Sequence, residues 1–184
     1  MRWVWLVMVL AGCASPPVDL YVLAARPGGV MHAPARSIGV HRIGVAAYLD
    51  RPQIVRATAE FRMQVVDGER WGEPLGRMLD RVLTENLVQR LPEASIFSES
   101  GAIQADPDII LEVDVQRFDA DADGTVTLLA QVAVRRAAGG RAVARTVRLT
   151  SVPAGPGTPA LVAALSAVWA EFSNTVATML AARI

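Results

Sequence analysis

A single cysteine, Cys13, is the residue whose type and position point most directly to a chemical reaction. It follows Leu10-Ala11-Gly12, and every residue from Trp3 to Leu10 is apolar. A positively charged start, a short apolar stretch and small residues before a cleavage site are typical of an export signal. The stretch is shorter than the roughly 20 apolar residues that span a bilayer. We therefore predict that residues 1–12 are a signal peptide and that Cys13 begins the mature chain.

The position of the cleavage site defines the chemistry expected of this thiol. A signal that ends at a cysteine rather than at Ala-x-Ala resembles the bacterial lipobox, where the thiol is alkylated by a diacylglyceryl group carrying fatty chains such as palmitate. One acyl chain anchors a protein only marginally, whereas two or more give stable attachment. The alternative is an ordinary buried cysteine beside a weak signal peptide, which leaves the small residues Ala11 and Gly12 unexplained. The sequence thus predicts a lipoprotein lipidated at Cys13.

Three other patterns could hold a metal or perform catalysis. The acidic run Asp119–Gly124 looks like half of a calcium-binding EF-hand loop, but the position that needs a bidentate carboxylate is Ala130. An acidic hairpin turn explains the run better. His32 and His41 lack a nearby Ser or Cys and a helical partner four residues away. We expect no metal, no cofactor and no enzymatic activity, with a hydrolase built from dispersed residues as a third hypothesis.

Two mixed strings are harder to explain as scaffold. One contains Tyr48, Asp50, Arg51 and Pro52, and the other contains Trp71 between Arg70 and Gly72-Glu73. Clusters of aromatic, Arg and acidic residues occur in buried polar latches and also in interface hot spots. The residue types alone leave both readings open. The candidates for partner contacts are Tyr48, Asp50, Arg51, Pro52 and Trp71.

Composition limits the partners and the number of domains. The 18 basic and 18 acidic residues give a formal charge of zero. Electrostatic attraction to nucleic acid or to anionic headgroups is therefore not expected. Without the signal peptide the chain has the size of one domain. Residues 13–37 are rich in Pro, Gly and Ala, and we predict that they form a lipidated tether with one short strand at Asp19–Leu23. Residues 38–184 are predicted to form the folded domain.

Hydrophobic periodicity indicates strands and two helices within that domain. Alternation is clearest in Ile109–Gln116, Thr125–Arg135 and Arg141–Thr150, each with one apolar and one wetter face. Pro74–Leu91 and a segment that begins at Thr158 show apolar residues at helical spacing. The predicted fold class is α+β, a single mainly antiparallel sheet with two amphipathic helices packed on one face.

The two mixed strings together resemble the ABC-type transport auxiliary lipoproteins. Tyr-Leu-Asp-Arg-Pro-Gln-Ile-Val begins at Tyr48, and Arg-Trp-x-Glu-Pro-Leu with an amphipathic helix follows from Arg70. The Leu-Tyr-Val-Leu segment from Leu20 also fits, and the resemblance covers nearly the whole mature chain. One departure is Gly72, where the family often has Ala.

This resemblance implies a non-enzymatic accessory subunit of an intermembrane lipid-transport system with MCE-domain proteins. Such a lipoprotein is thought to dock the far end of a transport tunnel at the outer membrane, and ring-like self-assembly occurs in the family. The residue after Cys13 is Ala14 rather than the Asp of inner-membrane retention, which favours anchoring at the outer membrane, facing the periplasm. The alternative is a periplasmic carrier that binds phospholipid in a groove between sheet and helices.

Overall fold

The computed structural model describes residues 17–35, 37–59, 62–103 and 105–182. The predicted signal peptide and Cys13 lie outside these residues, so both stay predictions. The described part of the chain forms nine strands and two helices. In chain order these are β1 (Asp19–Tyr21), β2 (Ser37–Val40), β3 (Gly44–Val45), β4 (Gln53–Ala59), β5 (Arg62–Trp71), α1 (Leu75–Arg90), β6 (Ser95–Ser98), β7 (Ile109–Ala120), β8 (Val126–Arg136), β9 (Val143–Ser151) and α2 (Thr158–Ala181).

Strand β7 is the centre of the sheet. On one side it pairs antiparallel with β8, which pairs antiparallel with β9. On its other side β2, β3 and β4 follow one another along its length, each in parallel. The successive registers place Ile38 opposite Ile109, Gly44 opposite Asp114 and Arg56 opposite Ala120. The chain from β2 to β4 therefore behaves as one interrupted strand beside β7.

The sheet is mixed, so the prediction of a mainly antiparallel sheet is wrong. β6 pairs in parallel with β2, and β1 pairs in parallel with β5, while β4 and β5 are antiparallel. Parallel neighbours need a long crossover, and the segment that contains α1 supplies one between β2 and β6. Alternation reveals which face of a strand is buried, but it carries no information on the direction of the neighbouring strand.

The two helices cover the apolar face and form the core with β7 and β8. All apolar positions predicted for α1 and α2 are buried, as are those of β7 and β8. The Trp169 ring of α2 stacks on Phe172, with centroids 4.8 Å apart, and meets the edge of Phe118 of β7 at 5.9 Å. Its Nε1 donates to the Leu79 carbonyl of α1 at 3.2 Å. One aromatic residue thus joins both helices to the sheet.

By length and composition α2 is apolar enough to cross a membrane. However, 67% of its most apolar 18-residue window is buried inside the fold. The core helix of a folded domain passes the same test of length and composition, and its contacts with β7, β8 and α1 mark α2 as such a helix.

The segment assigned to the tether packs on the domain. β1 pairs with β5, and Leu23 is 2% exposed. Further on, Met31 donates its backbone N–H to the Arg90 carbonyl at 2.7 Å. The boundaries 1–12, 13–37 and 38–184 stay predictions, but from Asp19 onward the described chain lies against the body rather than apart from it.

Two details of strand placement also differ from the sequence prediction. Strands β4 and β6 were not expected, because each is short or lacks clear alternation. Asp67-Gly68, a dipeptide that predicts a turn, instead lies in a bulge within β5. There Gln53 pairs with Arg70 and Val55 with Val65, so β5 carries extra residues, and Gly68 adopts a φ of 77°.

Candidate partner-binding surface

The two strings that carry the candidate residues meet where β5 ends and α1 begins. The Trp71 N–H donates to the Pro52 carbonyl at 2.7 Å, and the Gly72 N–H donates to the Tyr21 carbonyl at 2.8 Å. Pro74 immediately precedes the helix, a position where its fixed φ of −53° suits the start of a helix. Backbone hydrogen bonds therefore hold the loop before β4 against the end of β5.

Four of the five predicted residues share one cavity. Asp50, Arg51, Pro52 and Trp71 line a surface cavity of about 350 Å³ with Gly72, Glu73 and Pro74. Asp50, Arg51 and Pro52 are exposed, whereas Trp71 is only 7% exposed and belongs to the core. Trp71 is the floor of the cavity, and the three exposed residues are the ones a partner could contact.

Tyr48 lies apart from that cavity. It is half-buried, and its hydroxyl donates to Oδ2 of Asp119 on β7. Asp119 is 2% exposed, and its Oδ1 accepts from Nε of Arg117 at 2.9 Å. Burial, followed by the hydrogen bond to Asp119, raises the pKa of the Tyr48 phenol well above its usual range. For Tyr48 the latch reading fits the structure, because its polar tip points into the fold.

A second cavity adjoins the first. It measures about 600 Å³, shares Asp50 and Pro74 with its neighbour, and is also lined by Arg42, Arg77 and Asp80. We call the two adjoining cavities together the Asp50 groove. Exposed Arg42 and Arg77 give it positive charge, and Asp50 with Asp80 gives it negative charge. A groove of mixed charge on rigid elements suits recognition of a polar protein surface.

Asp80, a charged residue of α1, is nevertheless only 4% exposed. Its Oδ2 accepts from the hydroxyls of Ser98 at 2.6 Å and Ser100 at 2.8 Å. Its Oδ1 is buried and has no hydrogen-bond partner among the residues that the structure describes. Because the partner serines lie in and after β6, a strand that the sequence pattern did not reveal, helical periodicity alone could not place this carboxylate.

The acidic run ends β7 with Asp119 and Ala120, and its remaining residues, 121–124, form the predicted turn between β7 and β8. The Gly124 N–H donates to the Asp121 carbonyl at 2.9 Å, and Gly124 has a φ of 87°. The Asp121 carboxylate accepts hydrogen bonds from the Arg117 guanidinium and, at 3.0 Å, from the Thr127 hydroxyl. Among the residues that the structure describes, no group of three or more His, Cys, Asp and Glu could hold a metal ion.

Comparison with known proteins identifies the family. Residues 21–177 match the family described as ABC-type transport auxiliary lipoprotein component. The chain belongs to this family. It is 26% identical over 182 residues to the intermembrane transport lipoprotein PqiC of Escherichia coli strain K12, with 94% of this chain and 95% of that protein covered. The PqiC of Shigella flexneri matches to the same extent. The resemblance noted in the sequence is thereby confirmed.

Two crystal structures share the fold. An uncharacterized protein superposes with a TM-score of 0.75 at 22% identity, covering 89% of this chain and 99% of that one. Protein XCC0632 from Xanthomonas campestris gives 0.73 at 19% identity, covering 87% and 93%. At these identities the likeness concerns the fold alone, an α+β arrangement of one mixed sheet and two helices.

Within this auxiliary lipoprotein, sequence reasoning found one cavity of the Asp50 groove and missed the other. The aromatic and acidic strings identified Asp50, Arg51 and Pro52. Arg42 lies in the loop between β2 and β3, and Arg77 lies in α1, neither within a distinctive sequence pattern. They come together because β3 packs near the start of α1. The only feature of the sequence that could have indicated the second cavity is that Arg42 closely follows the short apolar segment that forms β2.

Proposed function

We propose that this auxiliary lipoprotein is a non-enzymatic docking subunit, anchored through Cys13 to the outer membrane and facing the periplasm. Its partner is the end of a tunnel formed by an MCE-domain protein in an intermembrane lipid-transport system. Family membership supports the transport role, and the name of the PqiC relatives supports transport between membranes. The MCE partner and a homo-oligomeric ring rest on the family resemblance.

The Asp50 groove carries the docking proposal. Asp50, Arg51 and Pro52 project from a loop that the Trp71–Pro52 hydrogen bond fixes against the sheet. The Arg51 side chain is exposed and forms no ion pair with the described residues. A preformed cavity beside an available guanidinium suits a carboxylate or carbonyl of a partner protein, because Arg can bind such groups in a bidentate manner.

The alternative, a carrier that holds phospholipid between sheet and helices, has less support. A carrier needs a large apolar cavity. The space between α2 and the sheet is filled by side chains such as Trp169, Phe172 and Val176, each 0% exposed. Both cavities of the Asp50 groove are surface cavities with charged residues in their linings.

Binding of the MCE-domain partner by an Arg51→Ala variant tests the proposal. We expect affinity to fall at least about tenfold, which corresponds to about 1.4 kcal/mol, the scale of an interface residue that matters. The unfolding midpoint should stay unchanged because Arg51 is exposed. Arg141→Ala is the matched control, since Arg141 is also an exposed arginine and precedes β9.

An Arg51→Ala variant that binds the partner as well as Arg141→Ala does would overturn docking through this groove. Trp71→Ala is not a suitable test, because removing a buried aromatic side chain costs roughly 3–5 kcal/mol of stability. Loss of binding by that variant would report unfolding as readily as a lost contact.

A further inference from the structure

The exposed face of β1 is apolar, which is unusual for a strand at the edge of a sheet. Tyr21 and Leu23 point inward, where Tyr21 is half-buried and Leu23 is 2% exposed. The alternate residues Val18, Leu20 and Val22 are 45%, 67% and 56% exposed. A solvated face normally carries polar residues, and natural edges are protected by charge. Val18 and Val22 flank β1 on either side, and together with Leu20 we call them the outer row of β1.

The surroundings of the outer row combine apolar and basic character. Leu20 pairs in register with Arg70 of β5, an exposed arginine that forms no ion pair with the described residues. At the other end Val22 lies against Gly72, where an added Cβ would be 3.0 Å from Cγ1 of Val22. Gly72 lines the Asp50 groove. The outer row therefore leads from the N-terminal side of the described chain to the edge of that groove.

Chain length limits how far this row can be from Cys13. Val18 follows Cys13 by only five residues. A fully extended chain spans at most about 3.6 Å per residue, so the two Cα atoms are no more than about 18 Å apart. An acylated Cys13 places its fatty chains in the hydrocarbon of a bilayer. The outer row is then the first apolar surface of the folded domain next to the headgroups.

We propose that the outer row of β1 contacts the lipid surface of the same membrane that holds the Cys13 anchor. This inference rests on the proposed anchor. Valine and leucine side chains gain by leaving water for the boundary between headgroups and acyl chains. Arg70 beside them is placed to bind lipid phosphates, which form charge-assisted hydrogen bonds with guanidinium groups. The contact orients the domain with β1 toward the bilayer and keeps the Asp50 groove near its surface.

Site-directed fluorescence on the lipidated full chain tests the contact. A Leu20→Cys variant is labelled with an environment-sensitive dye, since acylated Cys13 has no free thiol, and is reconstituted into phosphatidylethanolamine–phosphatidylglycerol vesicles. Val152→Cys is the control, because Val152 is 78% exposed and lies beyond β9. Nitroxide-bearing lipids should quench the dye at position 20 at least about twofold more than at position 152, and aqueous iodide should show the opposite order. A labelled Val22→Cys variant repeats the measurement should the first variant fold poorly.

Each outcome decides a different point. Vesicle-bound protein whose position 20 is quenched by lipid no more than position 152 overturns the membrane contact and leaves the anchor standing. Protection from iodide without lipid quenching likewise overturns it and indicates that a protein surface covers the row instead. Protein that does not sediment with the vesicles overturns the anchor and, with it, this inference.

Discussion

At the scale of single residues, the two aromatic candidates have structural roles that the sequence left open. The Tyr48 hydroxyl ties the loop before β4 to Asp119, and Trp71 closes the core beneath Asp50 and Arg51. The sequence pointed to both strings but could not separate a latch from an interface. The deciding partner, Asp119, is 71 residues away from Tyr48 in the chain.

The latch predicts a stability loss for Tyr48→Phe. Removing the hydroxyl leaves Oδ2 of buried Asp119 without its donor, which costs about 1–3 kcal/mol. Tyr21→Phe is the matched control, since Tyr21 is also half-buried and its hydroxyl makes no hydrogen bond with the described residues. Urea unfolding followed by circular dichroism measures both. Equal free energies of unfolding for the two variants would contradict the latch.

A pH dependence follows from the neighbouring carboxylate. The hydrogen bond from Arg117 lowers the pKa of Asp121 below its usual value of 3.8. A folded-state pKa below the unfolded one stabilises the protein above the unfolded value, and this contribution disappears as pH falls through the folded value. We therefore expect Asp121→Asn to destabilise the protein at about pH 7 and to differ less from wild type at about pH 3.

Unfolding free energies at the two pH values check this expectation. Asp67→Asn serves as the control, because Asp67 is exposed and forms no ion pair with the described residues. The difference between wild type and Asp121→Asn should shrink on acidification, while that of Asp67→Asn should stay small throughout. A difference for Asp121→Asn that grows toward low pH would reverse the sign and refute the assignment.

At the scale of elements, the segment after β1 is fastened to both helices by Arg90. This side chain is 0% exposed, and its hydrogen bonds within the described part of the chain all go to neutral oxygens. Nε donates to Oδ1 of Asn174 at 2.6 Å, and Nη1 donates to the Arg26 carbonyl at 3.1 Å. Burial lowers the pKa of Arg90. A Pro- and Gly-rich composition suggested a free tether because the sequence does not reveal this distant anchor.

Two adjacent glycines provide a test of that fastening. A Cβ added at Gly28 would lie 2.5 Å from Nε and Cζ of Arg90, whereas one added at Gly29 meets nothing within 4 Å. Gly28→Ala should destabilise the protein by about 1–3 kcal/mol through overpacking. Gly29→Ala should leave stability unchanged or raise it by up to about 1 kcal/mol, since alanine reduces the entropy of the unfolded chain. Equal thermal midpoints for the two variants would show that the segment does not depend on Arg90.

The elements themselves were predictable to the extent that their burial pattern was periodic. The residues predicted to be buried from the apolar stripes of α1 and α2 and from the alternation in β7 and β8 are buried in the structure. β6 was not predicted because it has only four residues, of which Ser95 and Ser98 are polar. In β4 the residues Ile54 and Val55 are both buried, so the two-residue period is lost.

At the scale of the whole molecule, topology was the part that sequence could not supply. Three short strands share one side of β7, and their order is set by pairing between residues far apart in the chain, such as Gly44 with Asp114. The hydrophobic pattern within one strand does not indicate which distant strand it pairs with. The resemblance to the auxiliary lipoproteins, carried by the strings around Asp50 and Trp71, indicated the family correctly while the sheet was predicted wrongly.

The short distance along the chain between Cys13 and the folded domain determines how the whole molecule would lie at the membrane. β1 begins at Asp19, six residues after Cys13, so an acyl anchor would hold the domain close to the bilayer rather than on a long spacer. The Asp50 groove and the outer row of β1, which approach each other where Val22 lies against Gly72, would then both be near the lipid. Docking and membrane contact both depend on the chemistry of one thiol.

The intact mass of the full-length protein, expressed with its signal and extracted from membranes with detergent, tests this most directly. The account predicts a chain that starts at Cys13, lacks residues 1–12 and carries the added mass of a diacylglyceryl group and further acyl chains. A chain that keeps residues 1–12, or one with a free thiol at Cys13, would contradict it.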